Sequence, residues 1–119
     1  MGNYAIVTAT MLRTKKQEEK ICGACPIAKT ANLVGDTFTL LIIRDLLTDP
    51  RRFSDLQSSL SGVSTRTIVK KLKHLENQGV IKRKALSERP PHVEYSLTKN
   101  GKALYKIVES MREYGGKYL

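Results

Sequence analysis

Eight cationic side chains fall within residues 64–89: Arg66, Lys70, Lys71, Lys73, Lys82, Arg83, Lys84 and Arg89, against only Glu76 and Glu88. That stretch carries a net +6 of the chain's formal +10. Guanidinium and ammonium groups at this density bind anions, and a row of them suits the phosphates flanking a nucleic-acid groove. Arg can pair bidentately with guanine in the major groove, while Lys serves guanine or phosphate. A second chemistry is offered by Cys22-Gly23-Ala24-Cys25, two thiols at redox-motif spacing.

The elements that position these groups follow from periodicity and punctuation. Ser64 is a cap for a helix running to about Gln78 and ending at Gly79. At ~100° per residue, Ile68, Leu72 and Leu75 share the face that must meet the core. Arg66, Lys70, Lys73 and Asn77 fall on the opposite face. Thr65 and Thr67, near the helix start, can contact phosphates or a thymine methyl. A shorter helix, Phe53 to Leu60, precedes it, with Phe53, Leu56 and Leu60 as its apolar stripe. Ser61-Gly62-Val63 is the turn between them. Short helix, Gly-containing turn, longer helix is a helix-turn-helix outline.

Val80 to Ala85 and His92 to Leu97 read as strands joined by a polar turn containing Pro90-Pro91. This hairpin is a wing, and Lys82, Lys84, Arg89 and His92 are its candidates for backbone or minor-groove contact. Upstream, Pro26 suits a first helical position, and the short helix it opens runs to Val34, with Ile27, Ala28, Ala31 and Val34 on one side. Gly35 breaks it. Asp36 caps the next helix, which reads as buried on more than one side through Phe38, Leu41, Ile42 and Leu46, until Asp49-Pro50 ends it. Thr98 opens a last helix with Leu104, Ile107, Val108, Met111 and Tyr114 or Tyr118 at helical spacing. That stripe exceeds what a small domain needs for its own core, so its surplus is expected in a two-fold interface with the 20–34 segment. The expected fold is therefore mainly α with a small β-hairpin: a winged helix-turn-helix with dimer-forming terminal helices. Residues 1–24 read as an arm or helix, and 25–119 as the DNA-binding domain.

Composition excludes several classes. Hydrophobic content of 40% fits a globular chain. Trp is absent and Phe occurs twice, so no aromatic platform for stacking single-stranded bases is present. No apolar run approaches the ~20 residues of a membrane span. Met1 to Leu12 lacks a basic n-region and a cleavage site, so no signal peptide is expected. Two cysteines are too few for a disulfide scaffold, and a cytoplasmic protein with reduced thiols is the expectation. No Gly-rich phosphate loop precedes a helix, and His74 and His92 lack a nucleophile or ligand cluster, so neither an enzyme nor a cofactor is expected. The rival reading is a winged-helix protein or RNA interaction module.

Several segments carry a resemblance. Cys25-Pro26, Gly35, Leu40-Leu41-Ile42-Ile43-Arg44-Asp45-Leu46, Arg52-Phe53-Ser54-Asp55-Leu56 and Gly62-Val63-Ser64 occur in order. They are followed by Leu72 with Leu75-Glu76, Gly79, Pro90-Pro91-His92-Val93-Glu94-Tyr95, and Leu97-Thr98 with Gly101. Over about residues 25–115 the chain resembles the HxlR family of winged helix-turn-helix transcriptional regulators of bacteria and archaea. The resemblance implies a dimer built from the N-terminal segment and the last helix, and binding to an operator. It also implies, as in several members, thiol-based sensing of oxidants or electrophiles through the cysteine of the Cys-Pro pair, which maps onto Cys25. Asp36-Thr37-Phe38 departs from the Gly-Lys-Trp common in the family, and Phe38 is expected to fill a core position. Cys22 adds a second thiol three residues before Cys25.

Three readings of that pair stand open. The thiols can be inert. Cys25, at a helix start where the dipole favours thiolate and with Lys20 and Lys29 nearby, can sense oxidants through a disulfide with Cys22 or across a dimer. Alternatively, two pairs brought together by a two-fold axis make a four-thiolate metal site, since one pair is only half of one. A thioredoxin-like enzyme is not expected, because no parallel sheet is legible.

Overall fold

A computed structural model describes residues 25–87 and 89–119. The N-terminal arm and Cys22 lie outside the described residues. The chain divides into two compact units, residues 1–32 and 33–119. Helix α1, Pro26–Val34, opens on Pro26 as expected. Its first turn closes with the Lys29 amide donating to the Cys25 carbonyl at 3.0 Å. The Thr30 hydroxyl donates to the Pro26 carbonyl at 2.8 Å. Ile27 is 81% exposed.

In the second unit, Asp36 caps α2, Thr37–Thr48, by accepting from the Thr39 amide at 2.9 Å and the Thr39 hydroxyl at 3.0 Å. Thr39, Ile42, Ile43 and Leu46 are buried at i, i+3, i+4, i+7 spacing and point one stripe at the core. Phe38 lies at the flank of that stripe and is 37% exposed, which corrects its expected core position.

A two-residue strand, β1 (Arg51–Arg52), leads into helix α3, Phe53–Ser59. The Arg52 amide donates to Asp55 Oδ2 at 3.0 Å, bracing the first turn of α3. The turn through Gly62 leads to Ser64, whose Oγ accepts from the Thr67 amide at 3.1 Å and caps α4, Thr65–Asn77. α4 ends where expected. The Gly79 amide donates to the Glu76 carbonyl and the Val80 amide to the Leu75 carbonyl, both at 3.0 Å. That pair of bonds requires a left-handed residue, and Gly79 supplies φ 74°.

Strands β2, Ile81–Leu86, and β3, His92–Leu97, form the antiparallel hairpin. The expectation of two strands alone is corrected. β1 pairs with β3 through Arg51 opposite Tyr95 and Arg52 opposite Glu94, giving a three-stranded sheet in the order β1-β3-β2. β2 also begins at Ile81 rather than Val80, whose amide is taken by the end of α4.

The last helix is divided. α5, Lys99–Lys102, is capped by Thr98, and α6 runs Tyr105–Tyr118. Between them the Leu104 amide bonds the Gly101 carbonyl, a tighter i to i+3 step that breaks the register. Gly101 is buried against Val80, where an added Cβ would meet the Val80 carbonyl and the Leu97 side chain. The Thr98 hydroxyl donates to the carbonyls of Gly79 and Val80 and so ties the start of α5 to the end of α4.

One core holds the second unit together. Ile42, Ile43, Leu56, Leu60, Ile68, Leu72, Leu75, Ile81, Leu97 and Val108 are buried in it. Burying each such side chain contributes about 1.5–3 kcal/mol against chain entropy. Among the described residues, no helix is long and apolar enough to cross a membrane.

Candidate nucleic-acid interface

α4 fulfils the expected division of faces. Ile68, Leu72 and Leu75 are buried, while Arg66, Lys70, Lys73 and Asn77 are exposed along the opposite side. Three polar candidates at the helix start have structural tasks. The Ser64 hydroxyl donates to Thr67 Oγ1 at 2.9 Å while accepting from the Thr67 amide. Thr65 Oγ1 accepts from Gln57 Nε2 at 2.9 Å, which links α3 to α4 across the turn. The Ser64–Thr67 bonds close the first turn of α4, and the Gln57–Thr65 bond joins it to α3.

Four cations of the second unit are ion-paired among the described residues. Arg44 bridges to Asp45 at 3.0 Å and donates to Ser59 Oγ at 3.1 Å, joining α2 to α3. Arg51 lies 3.6 Å from Asp49, and Arg112 lies 3.2 Å from Glu109. Lys71, one of the eight cations in the basic stretch, lies 3.3 Å from Asp36. That carboxylate is partly buried, which pushes its pKa up, but the Thr39 amide and hydroxyl and the Lys71 ammonium outweigh burial and hold it below its ordinary value. Among the described residues, Arg66, Lys70, Lys73, Lys82, Arg83, Lys84 and Arg89 carry no such intramolecular pair. Arg52, Lys99, Lys102, Lys106 and Lys117 are likewise without a carboxylate partner among the described residues, but α4 and the hairpin, which are adjacent, hold seven of the twelve such cations in residues 33–119.

Register assigns the hairpin's side chains to faces. Residues directly opposite in an antiparallel ladder share a face, and neighbours along a strand alternate. Lys82 stands opposite Ser96, and Lys84 opposite Glu94, so both lysines occupy one face and Lys84 has a carboxylate across the ladder. Arg89 is exposed in the connecting turn. His92 is half-buried, with Nδ1 3.3 Å from the Pro90 carbonyl, and so belongs to the turn's own structure.

Arg83 falls outside the wing candidates that the sequence suggests. It stands opposite Tyr95, and Ile81, two residues earlier, stands opposite buried Leu97, so Arg83 shares the core-side face of the ribbon. The alternation starting at Ile81 was the available signal. Arg83 lines a cleft with Val69, Leu72, Lys73, Glu76 and Tyr95.

Cys25 is exposed at the start of α1. On α6 only Val108 is buried, whereas Tyr105, Met111, Tyr114 and Tyr118 are each more than half exposed. The Tyr114 and Tyr118 rings meet at a tilt of 41° with centroids 5.0 Å apart.

Known proteins agree with this architecture. The family model described as HxlR-like helix-turn-helix matches residues 33–119. The HTH-type transcriptional regulator sll1512 of Synechocystis sp. (strain PCC 6803) is 36% identical over 95 residues, covering 80% of this chain and 70% of that protein. A MarR-family transcriptional regulator from Porphyromonas gingivalis W83 superposes with a TM-score of 0.77 at 33% identity, covering 82% of this chain and 95% of that one. The redox regulator HypR, in its oxidised form, superposes with a TM-score of 0.75 at 28% identity, covering 80% of this chain and 98% of that one. With a family match over most of its length and a winged-helix fold to go with it, the chain belongs to the HxlR-like helix-turn-helix family of transcriptional regulators.

Proposed function

We propose that this regulator binds a specific double-stranded DNA operator, with α4 as the recognition helix in the major groove and the hairpin as a wing on the flanking backbone. The observation that carries the reading is the clustering of unpaired charge on two adjacent elements. Arg66, Lys70 and Lys73 on α4 and Lys82, Lys84 and Arg89 on the wing have no carboxylate partner among the described residues, and the core-facing side of α4 leaves the first three on its exposed side. Arg66 is the candidate base reader and Asn77 a further polar contact at the far end. The lysines and Arg89 neutralise phosphates. Mapping the DNA protected upstream of the protein's own gene tests the reading. The protected duplex should bind more tightly than a scrambled duplex or an RNA of the same sequence. Equal binding to all three would leave a general interaction module instead.

The assembly we propose is a homodimer on an inverted repeat. The exposed Tyr105, Met111, Tyr114 and Tyr118 support it, since the stripe on α6 extends beyond the buried Val108. Recognition helices about 34–36 Å apart would then meet two half-sites one turn apart.

Cys25 is proposed as a sensing thiol that Cys22 modulates. Its exposure supports access by oxidants, and the structurally similar HypR is a redox regulator. An adduct or disulfide within an intersubunit segment would rotate one recognition helix against the other and change operator affinity. Cys25→Ser should bind DNA but lose its response to peroxide or electrophiles, and Cys22→Ser should change the response less. A wild-type protein insensitive to both reagents would remove this part of the proposal.

A further inference from the structure

The geometry points to a phosphodiester seat in the cleft between α4 and the wing, formed by Lys73 and Arg83 and limited by Glu76. The inference rests on the DNA-binding reading above and extends it to one identifiable backbone contact. In duplex DNA the major and minor grooves are separated by a phosphate strand. A protein that lays one helix in the major groove and an adjacent hairpin at the neighbouring minor groove must therefore straddle that strand. The strand has to pass between α4 and β2-β3.

The space between those elements is a cleft of about 340 Å³, lined by Val69, Leu72, Lys73, Glu76, Arg83 and Tyr95. Its two cations come from different elements, Lys73 from the wing-facing flank of α4 and Arg83 from β2. Arg83 is directed there by register, opposite Tyr95 and on the same face as buried Ile81. Neither cation has an ion-pair partner among the described residues, so Glu76 does not neutralise them by direct contact. Leu72 is buried and Val69 is 38% exposed, so one wall is apolar. Such a wall lowers the local dielectric and strengthens attraction between the cations and a phosphate. Two cations against one carboxylate leave a single net positive charge, the complement of one phosphodiester.

Lys82 and Lys84, on the opposite face of the ribbon, cannot make this contact from where they stand. Arg83 is thus the wing cation placed inside the cleft. It positions the duplex and reads no base. Glu76 opposes occupancy and weakens binding to every sequence.

The test is the affinity of the full chain for the protected duplex and for a scrambled duplex across a salt series. Arg83→Gln should weaken both by the same factor, on the order of tenfold per engaged subunit at 0.1 M salt. It should also lower the magnitude of the salt slope by about 0.9 per engaged subunit, and Arg83→Lys should restore most of that slope. Glu76→Gln should tighten both duplexes, an outcome that misfolding cannot produce. An unchanged slope in Arg83→Gln, or unchanged affinity in Glu76→Gln, would overturn the phosphate seat while leaving DNA binding intact. A wild-type chain that binds no duplex would overturn the parent reading and this one together.

Discussion

Lys71 Nζ lies 3.3 Å from Asp36 Oδ2. One cation of α4 is therefore committed inward, to the residue that caps α2, while Lys70 beside it is exposed. Two adjacent lysines of the same helix have different tasks, set by the 100° step between them. Lys71→Ala should leave affinity for DNA close to wild type, whereas Lys70→Ala should weaken it on every duplex sequence. Equal losses in a direct binding titration would contradict the division.

The same contact makes a pH prediction. Asp36 titrates below its ordinary value of 3.8 in the folded chain, because the Thr39 bonds and Lys71 outweigh the effect of burial. The unfolded chain therefore binds the proton more readily. The stability contributed by the charged carboxylate is present above about pH 4 and is lost as pH falls through the folded pKa. Asp36→Asn keeps a capping oxygen and removes the charge. Its thermal midpoint should lie below wild type at neutral pH and converge on it below about pH 4. A gap that stays constant with pH would contradict the assignment.

Gly101→Ala should destabilise the fold by about 1–3 kcal/mol, because the new methyl meets the Val80 carbonyl and Leu97 where α5 crosses the end of α4. Urea denaturation checks this. A midpoint equal to wild type would mean that the Gly101 backbone can move away from Val80.

Tyr114→Glu places a charge on the exposed aromatic face of α6, where Tyr114 is 60% exposed. Stability of the isolated subunit should change by less than about 0.5 kcal/mol, as for most surface positions. Sedimentation should shift toward monomer, and operator affinity should fall. An unchanged sedimentation profile, dimeric in both proteins, would move the interface elsewhere.

Arg66→Ala should cost about 1–3 kcal/mol on the operator and relax sequence preference, if Arg66 reads a guanine. Lys82→Ala should weaken operator and scrambled duplex alike. The opposite pattern would exchange the reader and the clamp.

The helix boundaries most visible in the sequence are those fixed by local chemistry. Asp36, Ser64 and Gly79 act within their own turns, and each does in the structure what its residue type predicts. Less visible were features set by distant partners. Arg51 and Arg52 form a strand only because Tyr95 and Glu94 present a free ladder edge, and two residues show no periodicity. The break between α5 and α6 follows from Gly101 packing beneath Val80, which no local propensity encodes. Arg83 was a different case. Its face follows from the alternation beginning at Ile81, which sets Arg83 apart from Lys82 and Lys84, but the cleft it lines is made by α4, a partner that the strand's own pattern does not encode.

The central claim, that unpaired cations of α4 and the wing meet DNA phosphates, is tested most directly by the salt dependence of wild-type affinity for the protected duplex. With about 6–10 phosphate contacts, log K should fall linearly against log salt with a slope of about −5 to −9. A near-flat line would contradict the account.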